Sequence, residues 1–229
     1  MKNENMNISN IIIIVSIILL SYTIGSIPVG LLVGKIFKNK DISTLGSQNI
    51  GSSNVTRVLG FKLGLLTFIL DFLKGFLPIF IVGCLTKNDI IPEEINYYRV
   101  FFGIAAVLGH MFSIFNKFKG GKAIASSVGF ITSINYLAGL LGILSFVIIV
   151  RFSGYASLSS LIATSLVNVG LWINTGVYLS RKNEPPQTCM ELCFIFATTI
   201  IIFLKHYKNI INLLKGKENK FNFKRKKTQ

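Results

Sequence analysis

The sequence predicts an all-α integral membrane protein, and three observations carry that prediction. Of its 229 residues, 51% are hydrophobic, and the mean hydropathy is +0.61. Only 14% are charged, against about 25% in a soluble domain. Those charges are clumped between long apolar runs, as in membrane spans joined by charged connections. A net charge of +15 also suits a nucleic-acid binder. Here the cations fall between apolar runs rather than along one soluble face, so nucleic acid is excluded. Anionic lipid and anionic substrates remain.

The first apolar run starts at Ile8. It lacks a basic leader and an A-x-A site, and its apolar character continues to Val33, so it is expected to be an uncleaved span rather than a signal peptide. Span one covers Ile11 to Ile36. Gly25, Pro28, Gly30 and Gly34 predict that its second half is kinked or tightly packed. A polar loop follows, from Asp41 to Lys62. Span two, Leu63 to Leu85, carries Asp71 and Lys74 inside it, and span three runs from Arg99 to Phe115 with His110 near its end.

From Ala123 to Val150 the chain is apolar for 28 residues. One helix of that length would be about 42 Å long, against a hydrocarbon core of about 30 Å. The break at Ser133-Ile134-Asn135-Tyr136 predicts two short helices. A further span runs from Tyr155 to Tyr178, with Trp172 and Tyr178 as interface anchors. After a loop containing Pro185-Pro186, the last span covers Cys189 to Leu204. The tail beyond holds nine Lys or Arg residues and one acid, Glu218. The chain reads as one domain over 1–229, with 221–229 a basic tail.

This makes seven spans. Lys35, Lys38 and Lys40, then Lys117, Lys119 and Lys122, then Arg151 and the basic tail all fall on one side. The other side receives Glu93 and Glu94, the uncharged Asn135 turn, and Arg181 with Lys182. The excess of cations on cytoplasmic loops puts the N-terminus outside and the C-terminus in the cytoplasm. Five spans, with 123–150 partly re-entrant, is the alternative. Cys84, Cys189 and Cys193 show no CxxC or His/Cys pattern and read as small packing residues.

Four segments hold candidate chemistry. The loop GSQNIGSSNVTR, Gly46 to Arg57, concentrates Ser, Asn and Gly around one Arg. Glycine lets backbone N–H groups close on an anion, and Arg57 offers a planar fork for phosphate oxygens. It lacks the spacing of a Walker A loop. Next, Lys119-Gly120-Gly121-Lys122 precedes a helix-compatible run and suits an anion site. His206 and Asn209 stand at i, i+3 and share a helix face, on a tail that also suits a lipid-bound amphipathic helix. Last, Asp71 and Lys74 are spaced for a local salt bridge. No carboxylate pair, metal-ligand cluster or Ser/His/Asp order is present, so no metal or cofactor is expected. Donors and cations abound while bases are few.

These residues resemble a known family. GSIPVGLLVGK (25–35), DISTLGSQNIGSSNVTRVLGFKLG (41–64), TFILDFLKG (67–75), GHMFSIFNKFKGGKAIAS (109–126) and HYKNIINLLKGKE (206–218) are similar, in order and spacing, to the PlsY-type bacterial acyl-phosphate:glycerol-3-phosphate acyltransferases. The resemblance implies seven spans in the bacterial inner membrane and a site on the cytoplasmic side. It implies transfer of an acyl group from acyl phosphate to the 1-hydroxyl of sn-glycerol 3-phosphate, giving lysophosphatidic acid and phosphate. That is the first acylation of phospholipid synthesis. It would need no acyl-CoA and no metal, and it implies a functional link to the enzyme that makes acyl phosphate.

By the same resemblance, Ser47, Arg57, His206 and Asn209 are catalytic. Gly46, Asn49, Gly51, Asn54, Lys119, Gly120, Gly121 and Lys122 bind substrate. Asp71, Lys74, His110 and Glu218 are structural or unassigned. The family's GSGNIGATN is here GSQNIGSSN, and its GGKGVAT is GGKAIAS. Gln48 matters most, because glycine adopts φ > 0 freely and glutamine does not. The His and Asp five apart used by acyl-CoA-dependent acyltransferases are absent, since the fifth residue after His110 is Phe115. The rival readings are a transporter of phosphorylated small molecules and a non-catalytic lipid-binding scaffold.

Overall fold

The structure is a computed structural model that describes residues 7–180 and 187–221. The Arg181/Lys182 and Pro185-Pro186 readings, the side chain of the Tyr178 anchor and the tail from 222 lie outside what it describes. The described residues form ten α-helices and three short 3₁₀ turns.

Helix α1 (Ile8–Ser26) starts at Asn7, whose side chain accepts from Ser9 N–H at 3.3 Å. Pro28 offers no N–H, so the first apolar run breaks there, and α2 (Val29–Lys38) continues from it. The polar loop then rises into α3 (Ser52–Leu59), which turns back at Gly60 into the 27-residue α4 (Phe61–Lys87). Helix α5 (Arg99–Met111) packs on α1.

The 123–150 stretch is two helices, as its length requires. Helix α6 (Ile124–Ile134) ends at Asn135, whose side-chain oxygen accepts from Ala138 N–H at 3.0 Å and caps α7 (Tyr136–Ser153). The chain reverses at this cap. A Cβ on Gly139 would lie 2.0 Å from Thr132 Oγ1, whereas seven residues of continuous helix would separate them by about 10 Å. Helix α8 (Ala156–Ser180) packs against α7, and α9 (Gln187–Lys205) bends by 56° into α10 (Tyr207–Leu214).

Among the described residues, five helical stretches are long and apolar enough to cross a membrane, and the bent α9–α10 pair makes a sixth. At 11 residues, α6 is shorter than any of these and shelters against α4. Glycine permits that contact. A Cβ on Gly75 would meet the Ser126 carbonyl oxygen at 1.9 Å, and one on Gly129 the Phe72 carbonyl oxygen at 2.0 Å. Leu19, Leu20, Leu141, Ile148 and Ile173 are all exposed on outer faces, as lipid contact demands. The three cysteines are free and exposed. Arg99 on α5 and Glu191 on α9 form a 2.8 Å ion pair that the sequence reading did not anticipate.

Candidate active site

The basic loops converge at the head of one large cavity of 1690 Å³. Its upper walls are polar and come from the Ser47–Arg57 segment, Lys122, the His206–Asn209 pair and Glu218. Its lower walls come from α4, α6, α7, α8 and α9 and are mostly apolar. Among the described residues, five cations line it (Lys38, Arg57, Lys62, Lys122 and Arg151) against two acids, Asp71 and Glu218. Asp71 is neutralised by Lys74 at 2.8 Å, the i, i+3 pair expected from the sequence.

Asn54 organises the first loop. It is buried, and its side-chain oxygen accepts from Ser47 N–H at 2.8 Å and from Arg57 Nη1 at 3.5 Å. Its amide nitrogen donates to the Leu45 and Ile42 carbonyls at 2.9 and 3.3 Å. This amide is engaged by the loop itself, so Asn54 holds Ser47 and Arg57 in register. Gly46 (φ 59°) has to be glycine, because a Cβ there would come 2.3 Å from the Asn54 oxygen. Gln48 takes the left-handed conformation after all, at φ 60°. Its N–H donates to the Leu45 carbonyl at 2.9 Å and holds the turn closed.

Several donors at the cavity have no partner among the described residues. Gly51 caps α3 without a side chain, so the first-turn N–H groups lack a side-chain acceptor at the end that favours anions. Arg57 Nε and Ser127 Oγ are buried without a hydrogen-bond partner. Such donors are costly unless an acceptor arrives.

The second basic loop divides its residues. Lys122 lines the cavity and donates to Asn209 Oδ1 at 2.5 Å. Lys119 is exposed and lies off the cavity walls with Gly46, Gly120, Gly121 and Lys74. Neither glycine of the pair lines the cavity. Gly121 N–H donates to the His110 carbonyl at 3.0 Å, and a Cβ on either glycine would strike His110 atoms within 2.3 Å. The pair is there to let the loop pack onto α5.

The third segment is knitted together by Glu218. Its Oε1 accepts from Asn209 Nδ2 at 2.7 Å and from Ser157 Oγ at 2.8 Å. His206 is buried, and its Nδ1 lies 2.9 Å from the Ile202 carbonyl. The chain then crosses the site. The Asn219 carbonyl accepts from Arg57 Nη2 at 3.4 Å, and the Phe221 ring lies 5.8 Å from the guanidinium carbon. Burial pulls Lys122 down to about 8, with Glu218 opposing and Arg57 reinforcing that shift. Burial lowers Arg57 too, again opposed by Glu218.

Sequence reasoning missed Ser157, Asn219, Phe221 and a polar stripe on α8. Ser157, Ser160, Thr164 and Asn168 all face the cavity. Their 3-4-4 spacing was a legible signal of one helix face inside an otherwise apolar span. Asn219 acts through its carbonyl, which any residue possesses.

A cationic, donor-rich basin heading an apolar groove inside a helical membrane bundle defines a membrane enzyme that handles amphiphiles with anionic heads. Residues 15–216 match the family described as Glycerol-3-phosphate acyltransferase. The glycerol-3-phosphate acyltransferase of Aster yellows witches'-broom phytoplasma (strain AYWB) is 47% identical over 220 residues, covering 89% of this chain and 94% of that one. The same-named protein of Acholeplasma laidlawii is 40% identical over 228 residues, covering 96% and 97%. The crystal structure of PlsY (YgiH), an integral membrane glycerol 3-phosphate acyltransferase, in its glycerol 3-phosphate form superposes with a TM-score of 0.76. It is 33% identical, with 91% of this chain and 96% of that one covered. The lysophosphatidic acid form gives 0.73 at 32% identity, covering 91% and 95%. The chain therefore belongs to the glycerol-3-phosphate acyltransferase family and is a membrane acyltransferase of phospholipid biosynthesis.

Proposed function

We propose that the chain moves a fatty acyl group from acyl phosphate to the 1-hydroxyl of sn-glycerol 3-phosphate. The carrying observation is that Arg57, Lys122 and unspent buried donors meet at the head of an apolar groove. In this reading the acyl chain lies in the groove. The phosphate of the donor sits against the Ser47–Ser53 backbone and the start of α3, with Ser47 donating to it. Arg57 and Lys122 bind the phosphate of the acceptor, while Gly46, Asn54, Gly120 and Gly121 shape the loops. His206 and Asn209 flank the reacting groups.

The acceptor hydroxyl oxygen attacks the acyl carbonyl carbon, the bond from that carbon to the phosphate oxygen breaks, and phosphate leaves. The hydroxyl proton passes to a phosphate oxygen, which fits a site with many donors and few bases. Catalysis is then positioning plus stabilisation of developing negative charge. No step uses a metal or cofactor.

We further assign seven spans, with α6 as the short one, the N-terminus outside, and the site facing the cytoplasm of a bacterial inner membrane. The meeting of Lys38, Lys122 and Arg151 on the walls of one cavity supports this orientation. Against a transporter stands the groove's lower end. Ile131, Ala138 and Ile195 line it and belong at the same time to the packed core that contains Leu171 and Leu192.

The test is one assay on purified, folded protein with palmitoyl phosphate and labelled glycerol 3-phosphate. Lysophosphatidic acid forms without CoA. Product from palmitoyl-CoA alone would overturn the donor, and product from neither would overturn the reaction.

A further inference from the structure

Asp71, Lys74 and His110 form a buried ionic cluster that the chemistry above does not use. They are 1%, 5% and 6% exposed. Asp71 Oδ1 accepts from Lys74 Nζ at 2.8 Å and lies 3.4 Å from His110 Nδ1. Lys74 also donates to the Ile27 carbonyl at the α1–α2 break. The Asp71–Lys74 pair is charge-balanced without His110. Buried ionisable groups within a membrane protein are costly, and a buried ion pair is a poor source of stability, so the third member calls for another reason.

What His110 touches supplies it. The ring packs on Gly121, where a Cβ would fall 2.3 Å from Nε2, and the His110 carbonyl accepts from Gly121 N–H at 3.0 Å. The next residue in the chain is Lys122. The neighbouring carbonyl, Met111, accepts from Lys205 Nζ at 3.1 Å, and the next residue after Lys205 is His206. Lys122 and Asn209 then meet at 2.5 Å. The last turn of α5 is thus a joint holding two separated segments of the site, one on each carbonyl.

We propose that Asp71 and His110 are positioning residues. Asp71 fixes the His110 ring against Gly121, and this sets where Lys122 stands relative to His206 and Asn209. The inference rests on the reading of Lys122 as a ligand of the acceptor phosphate. Asp71 and His110 also line the cavity wall, but the ring acts on Lys122 through Gly121, so its loss weakens acceptor binding more than turnover.

The experiment measures initial rates of the full chain against each substrate, using whichever donor turns over. His110→Ala and the size-preserving Asp71→Asn raise the KM for glycerol 3-phosphate about tenfold, while the donor KM and kcat stay within about twofold. A merely structural role would lower the yield of folded protein without that split. Gly121→Ala alone is worse, because its Cβ meets the ring. Removing the ring makes room, so Gly121→Ala combined with His110→Ala recovers about threefold or more in acceptor KM over Gly121→Ala alone, a coupling of neighbours. An unchanged acceptor KM in Asp71→Asn, or strict additivity in the pair, overturns the proposal. If His110→Ala does not fold, Asp71→Asn decides by itself. Lys122→Ala with a wild-type acceptor KM would instead sink the assignment of Lys122, a different outcome from either.

Discussion

Lys122 Nζ donates to Asn209 Oδ1 at 2.5 Å, across 87 residues of sequence, and the opposite edge of that amide donates to Glu218 at 2.7 Å. The amide is therefore oriented, cation on one side and carboxylate on the other. Lys122 is buried enough that its pKa falls to about 8, despite the opposing pull of Glu218. The sign of the pH effect follows. Below about 8 the side chain is an ammonium and attracts phosphate. Above it the side chain becomes neutral while glycerol 3-phosphate, with a second pKa near 6, stays dianionic. Acceptor KM rises with pH through 8, approaching about tenfold per unit as expected for one linked proton. Lys122→Arg keeps its charge and flattens the profile up to pH 10. Steady-state kinetics from pH 7 to 10 check both, and a flat wild-type profile refutes the role.

Arg57 is held at three points: Asn54 Oδ1, the Asn219 carbonyl and the Phe221 ring. Its Nε is a buried donor without a hydrogen-bond partner. Lysine preserves the charge but cannot span these contacts and also present a fork. Arg57→Lys lowers kcat/KM for glycerol 3-phosphate by about 10- to 100-fold, the worth of one or two charged hydrogen bonds. Wild-type kinetics in that variant would remove Arg57 from the mechanism.

Two positions where the family carries glycine sit here in the left-handed region with side chains, Gln48 at φ 60° and Ala123 at φ 58°. The backbone keeps the shape that glycine allows and bears the strain, about 1–2 kcal/mol per site for a residue with a Cβ. Glycine loses more freedom on folding, about 0.5–1 kcal/mol, so replacement at Gln48 is a small net gain. At Ala123, buried in the core, the lost methyl costs about 0.8 kcal/mol more and cancels it. Gln48→Gly should raise the thermal midpoint by a degree or two, and Ala123→Gly should leave it level or lower, both with activity retained. Gln48→Val, β-branched at the same φ, should lower it. A midpoint that falls in Gln48→Gly would show that the glutamine side chain supplies contacts outweighing the strain.

Much of this was legible in the sequence because the motifs are local. The loops, the Asp71–Lys74 pair and the Asn135 break follow from residue type and spacing alone. What was not legible depends on the meeting of distant segments. The Gly120–Gly121 pair looked like an anion cradle, yet its N–H and its missing side chains serve His110, and only packing reveals that. Lys119 and Lys122 are equivalent as text and differ in space, one exposed and one on the cavity wall. The closure of the site by Asn219 and Phe221 uses a carbonyl and a ring that no spacing rule marks.

The groove itself sets a length. On α8, Ser157 hydrogen-bonds to Glu218 at the polar head, and Asn168, bonded to Thr199 at 2.5 Å, lines the far end. Eleven residues of helix separate them, about 16 Å. Leu171 and Leu192, buried at 8% and 4% exposure, belong to the core at that end. An extended chain advances about 1.25 Å per carbon, from a C–C bond of about 1.52 Å, so roughly thirteen carbons fit above Asn168. Ala163 stands on the same wall, about 9 Å below Ser157 or roughly seven carbons down. Ala163→Phe places a ring across the groove at that depth. Each methylene kept out forfeits about 0.8 kcal/mol of transfer energy. The ratio of kcat/KM for hexanoyl phosphate over palmitoyl phosphate should therefore rise at least about tenfold in the variant, while acceptor KM stays put. An unchanged ratio in folded protein would mean that the acyl chain leaves the head by another route.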